Sequence, residues 1–583
     1  MRKFWRRFYF ALFSALFGVS VLSAQVSADP NDPFYGDLPV WETMGLVNHL
    51  PAARPYPMNV VEEILQTVID RAPERERRVA LAHYKRLFGK SFTIGAKVSA
   101  ALNTDLDRQL DISVVSADFN HYLFRDLLSI SGSFDLWATN RLPDEEVRPA
   151  FTSSAKDVVA DNSHVGPFWV LPSFNSSVSF GTTDVYLLAG LMRGSYGPFH
   201  TDGVVAGSGA THSGQLSFAF RRENWTFNSS LYGLSATRDA DYNAGVSMDD
   251  LAYYPEKFLA VHSLDFHPFD WLSVSFLESV MYGGRIEPMY MLPLTVYFLN
   301  QGLTGFNDNS YMGAMFTVKP AAGWKIDGVI YADDLSFNDI ATFHWDTKWR
   351  LAAQLGVSYA PSWGNILSLI SFNYTMVTPY TYAHKESDAR DYYAPNYQNY
   401  LHAGVPFGAN LEPNSDRFTL LVKTRPLECL DVDFVGTLIR HGNVNENMEW
   451  KFIREYLTSG DTYITDGSMA NASATGAGHA RFYDTPFLTQ DTIRYIWQFG
   501  FDANCRLPVL KSGGYMVFRL SYRFEADRNA DVGTGIFTNT IPGETDEAVI
   551  RQEAENQLAA WRNRVSGTTE FNNYISVGFE YFY

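Results

Sequence analysis

From Ser91 to Tyr583, apolar and polar residues alternate one by one in runs broken by turn residues. Residues 127–138 set Leu128, Ile130, Phe134 and Leu136 against Ser129, Ser131, Ser133 and Asp135. Residues 515–525 set Met516, Phe518, Leu520, Tyr522 and Phe524 against Arg519, Ser521, Arg523 and Glu525. The last run sets Ile575, Val577, Phe579, Tyr581 and Tyr583 against Ser576, Gly578 and Glu580. A period of two belongs to strands with one apolar and one polar face. About eighteen such strands are predicted. They start near Ser91, Gln109, Leu127, Phe174, Asp184, Ser213, Trp225, Lys257, Trp271, Ser310, Gly323, Thr347, Leu367, Ser415, Cys429, Asp491, Gly513 and Glu570.

Ahead of Ser91 the period is helical. Asn59 is placed to cap a segment with Val60, Val61, Ile64, Leu65 and Val68 on one face. Pro73 suits the first position of a second helix that runs to Phe88 and stops at Gly89. Residues 40–48 are expected to form a third, short helix. Residues 29–90 thus read as a small helical cap.

Connection length sorts by parity. The turns at Glu223-Asn224, 268–270, 320–322, 361–365 and 426–428 are short, whereas 139–173, 193–212, 237–256, 283–309, 379–414, 442–490 and 527–569 are long. A soluble sandwich alternates too, but it has no reason to put short turns at one end. Short inner turns and long outer loops are the asymmetry of outer-membrane barrels. Closure also removes the unpaired edges that lipid forbids. The expected fold is therefore all-β: a transmembrane antiparallel β-barrel of about 18 strands, residues 91–583, preceded by a periplasmic α-helical segment, residues 29–90. The aromatic end Tyr581-Phe582-Tyr583 resembles that of substrates of the barrel assembly machinery.

The first 28 residues change the compartment. Arg2, Lys3, Arg6 and Arg7 precede an apolar run from Phe8 to Leu22, and Val26-Ser27-Ala28 ends it. This is the form of a secretory signal peptide cut after Ala28. With it go four basic residues and no acid, so the net charge moves from −18 to −22. That charge excludes nucleic acid as a partner. Aromatic residues make up 15% of the chain and charged ones 19%; the rings have a place in lipid-facing girdles and the charges in lumen and loops. The chain is expected to reside in the outer membrane as a monomer, in contact with membrane lipid.

Two cysteines, Cys429 and Cys505, fall near the periplasmic ends of neighbouring strands. Alternation points Cys429 inward and Cys505 outward, so free thiols are expected rather than a bridge.

Catalytic signatures are absent: no HExxH, no GxSxG and no phosphate-cradling glycine loop. A lipase or protease with its residues spread over separate strands would escape such a search. Asp239, Asp241, Asp249 and Asp250 share one outer loop without calcium-loop spacing and read as a solvated acidic loop. No metal, cofactor or catalytic residue is assigned. Residues 545–566 read as an amphipathic helix with Val549, Ile550, Leu558, Trp561 and Val565 along one stripe. Residues 459–480 are rich in Gly, Ala, Ser and Thr and read as a mobile loop.

Three stretches stand out. The first, 274–293, carries Glu278, Tyr282-Gly283 and Pro293; the second, 307–339, carries Asp308-Asn309 and Asp333-Asp334. The third, 379–417, carries Pro379, Tyr382, His384, Asn399-Tyr400, Pro406, Gly408 and Asn410. In this order and spacing they resemble the Wzi-type capsule-assembly family of outer-membrane lectin barrels. The helical segment ahead of an eighteen-stranded barrel also fits that family's layout. The chain departs from it in its long loops 442–490 and 527–569. The resemblance implies non-catalytic binding or anchoring of capsular or other surface polysaccharide. The same architecture also serves a porin or substrate-specific channel, which an open lumen would favour. Loop 379–414 supplies the candidate ligand residues Tyr380, Tyr382, His384, Tyr392, Tyr393, Tyr397, Asn399, Tyr400 and Asn410. Rings stack on sugar C–H faces, and amides fix hydroxyls. The same tyrosines can equally pack the loop into the barrel mouth. Glu278, Asp308, Asn309, Asp333 and Asp334 match family positions and can equally be lumen residues satisfying one another. Strict alternation would aim Glu278 at lipid, so a bulge or an early strand exit is expected there.

Overall fold

The computed structural model describes residues 30–583 apart from 124–126, 155, 158–162, 240, 242–245, 249, 293, 305–307, 335–341, 343–349, 363–365, 385–393, 449, 460–486 and 510–513. The expected signal peptide, most of the glycine- and alanine-rich loop, Tyr392, Tyr393, Asp249 and Pro293 lie outside the described residues.

Eighteen antiparallel strands close into one barrel. In chain order they are β1 (Phe92–Leu102), β2 (Arg108–Leu123), β3 (Leu128–Thr139), β4 (Phe168–Gly181), β5 (Val185–Met192), β6 (Ser213–Arg222), β7 (Trp225–Ala236), β8 (Tyr254–Phe269) and β9 (Leu272–Gly283). The second half comprises β10 (Asn309–Val318), β11 (Trp324–Asp334), β12 (Arg350–Tyr359), β13 (Leu367–Val377), β14 (Ser415–Leu427), β15 (Leu430–Gly442), β16 (Ile493–Pro508), β17 (Tyr515–Arg528) and β18 (Thr569–Phe582). Each strand pairs with its neighbours in sequence, and β18 pairs back onto β1 from Gly95↔Phe582 to Leu102↔Ile575. Every wall strand thereby has two partners, as a closed barrel in lipid requires.

Alternation decides which side chains face out. Phe134, Phe276, Ile330, Leu355, Phe434, Phe499 and Val577 are exposed on the outer surface. Ser129, Ser131, Asp265, Asp327, Gln354 and Gln498 are buried on the inner one. An apolar outward band around a polar-lined interior is the arrangement of outer-membrane barrels. Among the described residues no helix is long and apolar enough to cross a membrane.

The outer connection 103–107 is short, so loop length does not sort perfectly by parity. β4 begins at Phe168 rather than near Phe174, because its first residues pair with a short strand, Ser163–Val165.

Among the described residues three helices precede the wall: α1 (Pro33–Thr43), α2 (Met58–Arg71) and α3 (Glu74–Phe88). α1 replaces the helix expected at 40–48. Asp32 caps it by accepting from the Phe34 amide at 2.8 Å, and Pro33 occupies its first turn. α2 starts at Met58, one residue ahead of the expected cap Asn59, whose amide instead donates to the Gly181 carbonyl at 3.2 Å. α3 starts at Glu74, with Pro73 as its cap residue rather than its first helical position, and it stops at Gly89 as the sequence predicts. Their shared core of Phe34, Leu38, Trp41, Val61, Leu65 and Leu87 packs on Tyr186, Leu188 and Ala219 of the inner wall. Arg75 donates to the carbonyls of Ile366 and Leu367, and Lys319 to that of Val47. The helices therefore plug the short-turn end.

Cys429 and Cys505 are both free thiols. The facing argument does not hold, because Cys429 sits in the turn before β15. Strand alternation does not fix the side on which a turn residue points.

Candidate functional site

The lumen is filled from both ends. From below, the chain between α1 and α2 reaches up, and Ala53–Arg54 pairs as a two-residue strand with Ser195–Tyr196 of the outer loop 193–212. Asn228 of the wall accepts from the Ala52 amide at 3.2 Å, and Gln215 donates to the Arg54 carbonyl at 3.2 Å. From above, loop 193–212 and residues 378–384 and 394–414 descend and lock together. The Gly207 amide donates to the Phe407 carbonyl at 2.9 Å. A Cβ at Gly408 would lie 2.8 Å from the Val204 carbonyl and 3.1 Å from the Tyr382 ring, so only glycine permits this approach.

Four tyrosines hold the junction. Tyr311 and Tyr331 project from β10 and β11 and stack at 4.9 Å; Tyr382 and Tyr400 come from the loop and stack at 4.7 Å. All four are buried. Tyr400 donates to the Val205 carbonyl at 2.7 Å, its oxygen lies 2.9 Å from that of Tyr331, and Tyr382 donates to the Val204 carbonyl. Burial pushes the Tyr382 and Tyr400 hydroxyls well above their ordinary pKa. These rings are neutral donors.

The amides of the loop are equally committed. Asn396 donates to both oxygens of Asp239 at 3.0 Å and to the His384 carbonyl at 2.8 Å, while its own oxygen accepts from the Gln398 and Asn399 amides. Lys257 donates to the Asn399 side-chain oxygen at 2.6 Å. His402 accepts from the Ser235 amide at 3.0 Å and donates to the His212 carbonyl at 2.9 Å. Burial lowers its pKa to about 4. Asp239 and Asp241 are bonded to Asn396 and Arg238, so this acidic loop is partly a structural brace.

The opposite side of the lumen is polar. Lys97 pairs with Asp135 at 2.9 Å, Lys423 with Asp433 at 2.9 Å, and Arg519 with Glu580 at 2.9 Å. Arg519 keeps a 47% exposed side chain. Residues 149–151 lie above this side: Glu525 accepts from the Ala150 amide and Gln498 donates to its carbonyl, both at 2.8 Å. Over the outer end, α5 (Trp450–Thr458) packs on α6 (Glu547–Val565), while α4 (Tyr297–Thr304) lies against β9. α6 confirms the expected amphipathic helix, with Ile550, Trp561 and Val565 buried against Leu457 and Val532; Val549 alone of the predicted stripe is exposed.

The sequence-selected residues thus fall into separate places. Tyr382, Asn399 and Tyr400 meet in the loop junction, and Asn309 joins them by donating to the Tyr311 hydroxyl at 2.7 Å. Tyr380 is buried apart, under the Arg350 guanidinium at 5.8 Å. His384, Tyr397 and Asn410 are half-buried. Tyr397 lies flat on Gly283, where any Cβ would collide with its ring. Asp333 is buried beside the tyrosines, and Asp334 pairs in register with Arg350. Asp308 accepts from Arg285 at 3.0 and 2.5 Å and from the Tyr290 hydroxyl at 2.8 Å. Glu278 sits on the outer wall. β9 runs through it without a bulge, contrary to expectation, and α4 covers it instead. Sequence reasoning missed Tyr311, Tyr331 and loop 193–212; the glycine-rich GVVAGSGATHSG stretch was the available signal that this loop packs tightly.

Ser229, His262 and Glu278 lie side by side in register on β7, β8 and β9, the order of a nucleophile, a base and an acid. Both Glu278 oxygens are taken by backbone amides of α4, and the Tyr297 ring covers His262 at 4.2 Å. The row serves to seat the loop.

Fold and lumen together define a membrane-barrel protein filled by its own loops and N-terminal helices. No family model and no curated protein matches the chain. Among solved structures it is similar to Wzi, an outer membrane protein involved in group 1 capsule assembly in Escherichia coli and described as a carbohydrate-binding β-barrel. The TM-score is 0.52 at 12% identity, over 96% of this chain and 99% of that one. OprD of Pseudomonas aeruginosa aligns with TM-score 0.38 and 9% identity over 85% and 94% of the two chains. OccAB2 of Acinetobacter baumannii aligns with TM-score 0.39 and 8% identity over 85% and 97%.

Proposed function

We propose that the protein is an exported outer-membrane barrel that holds capsular or other surface polysaccharide at the cell surface without chemically altering it. The observation that carries this reading is the junction of loops 193–212 and 378–414. Four buried tyrosines make a rigid floor across the mouth at the point where a transport path would need space. Carbohydrate binding by Wzi, a barrel of the same fold, supports it. Tyr382, Asn399 and Tyr400 act as the scaffold of the loop, while half-buried His384, Tyr397 and Asn410 lie nearer the surface that meets sugar. Tyr392 and Tyr393 belong to the same proposed contact. Against a net charge of −22 after signal removal, an acidic glycan would be held by local Arg, Lys and amide donors.

The protein is further read as a monomer, delivered by its signal peptide and inserted by the barrel assembly machinery. The test is retention of purified surface polysaccharide on immobilised, folded barrel. Failure to retain any native glycan, with folding verified by heat-modifiable mobility, overturns the reading.

A channel is the second reading, favoured by the paired and partly exposed charges of Lys97, Asp135, Arg519 and Glu580 along one side of the lumen. Large, steady open currents from the intact protein in a planar bilayer would establish it over the lectin.

A further inference from the structure

Past the top of β9, residues 284–292 and 294–304 lie against the outside of the wall instead of standing over the mouth. The β8–β9–β10 register is unbroken through His262, Glu278 and Met312, so His262 and Glu278 point outward, into the level of the lipid band. Glu278 lies five residues below the strand end at Gly283, about 13 Å down a tilted strand, within a band about 25 Å tall. A bare carboxylate and imidazole there would be costly.

The loop covers them. Glu278 accepts from the Tyr297 and Phe298 amides at 2.8 and 2.5 Å, at the N-terminal end of α4, and His262 lies 3.4 Å from the same carboxylate. Tyr290 and Tyr297 bury themselves against Ala260, Val280 and Tyr282 of the outer wall. The loop's charges, Arg285, Glu287 and Asp308, are tied to one another at its root. Its outer surface is apolar: Ile286, Leu294, Leu299 and Leu303 are 73%, 83%, 67% and 79% exposed. That surface continues into exposed Phe276 and Phe266 lower on the same strands.

We infer that residues 284–304 form a flap immersed in the outer leaflet, with the acyl chains of membrane lipid covering Ile286, Leu294, Leu299 and Leu303. This goes beyond glycan binding and rests only on the barrel spanning a membrane. Polar seat and apolar surface explain each other: the flap shields Glu278 and His262 from hydrocarbon, and hydrocarbon shields the flap from water. Among connections at the outer end, this one is a membrane element.

The test uses the full mature chain carrying Cys429→Ser and Cys505→Ser, reconstituted in phosphatidylcholine vesicles. Single nitroxides are attached at Leu299→Cys or Leu303→Cys. Phe276→Cys is the lipid reference, and Thr545→Cys in the exposed outer loop is the water reference. The ratio of collisions with oxygen to collisions with a water-soluble nickel chelate is expected to match Phe276 and to exceed Thr545 by about tenfold. A flap ratio equal to that of Thr545, with Phe276 still in lipid, overturns the flap and leaves the barrel standing. Phe276 in water overturns both. Dipolar broadening between Leu303 labels on two molecules assigns the surface to a second copy and overturns the lipid assignment.

Discussion

Tyr382 and Tyr400 stack with ring centroids 4.7 Å apart and planes inclined by 25°, and each hydroxyl donates to a carbonyl of the facing loop, Val204 and Val205 respectively. Two outer loops far apart in sequence are thereby joined through one aromatic pair at the outer end of the lumen. Tyr400→Phe removes the bond to Val205 and the contact with Tyr331, and it leaves a buried carbonyl unpaired; the expected cost is about 1–3 kcal/mol. Tyr400→Ala also opens a cavity, at about 3–5 kcal/mol. Denaturant unfolding followed by heat-modifiable mobility measures both. The two variants are expected to weaken glycan retention in the same order.

Acid is expected to loosen the plug. Burial holds His200, beside Glu42 at 3.1 Å, at a pKa of about 4, and it holds His402 at about 4 as well, against an ordinary 6.5. Above pH 6.5 both are neutral whether folded or unfolded. As the pH falls from 6.5 towards 4, the unfolded chain binds protons that the folded one refuses, so stability drops across that window. For Glu42, burial works to raise the pKa, but Lys325 and His200 outweigh it and hold the carboxyl well below its ordinary value. Its contribution is lost at still lower pH. Melting temperatures taken from pH 7.5 to 4 are expected to decline, with a shallower slope for His402→Gln.

One buried carboxylate adds an ionic tie between the helical segment and the wall. Asp37 meets Arg425 of β14 at 3.1 Å and His83 of α3 at 2.8 Å. Burial alone would raise its pKa, but these partners hold it well below the usual carboxylate range. Arg425→Ala strands that charge and is expected to cost about 3–5 kcal/mol. Adding Asp37→Asn removes the stranded charge and is expected to restore much of the loss. Protease sensitivity of residues 30–90 reports the release, and a planar bilayer shows whether release of the helices alone opens a current.

Glu278→Ala leaves the α4 amides of Tyr297 and Phe298 without their acceptor, at an expected cost of about 1–3 kcal/mol confined to the flap. Tryptic cleavage at Arg285 in intact vesicles is expected to quicken, with barrel melting nearly unchanged. Glu278→Gln retains an acceptor and is expected to lie between. Equal cleavage rates in all three proteins would remove Glu278 as the anchor.

The strands were legible because a barrel wall has only two faces, and Leu128 to Leu136 or Ile575 to Tyr583 state them residue by residue. The site was legible only as a region. Residues that fill a lumen from loops follow no period, so nothing in the spacing distinguishes buried Tyr400 from half-buried Tyr397. Partners such as Val204 and Tyr331 lie far away in sequence. Glu278 shows the limit sharply. Its parity conflict was visible, but the resolution lay in a loop folding outward, which alternation within a strand cannot express. The misplaced first helix was the opposite case, since the Asp32-Pro33 start was in plain view.

The pairing of Ala53–Arg54 with Ser195–Tyr196 has a consequence for assembly. Nearly every seam of the wall joins strands adjacent in the chain; β1 with β18 joins its beginning to its end. Residues 30–90 lie inside that ring, hydrogen-bonded at mid-depth to a loop that enters from the other side. The ring is therefore sealed around a guest that is part of the same chain. A wall that zipped shut before its helices arrived would be a barrel of correct strands around the wrong contents.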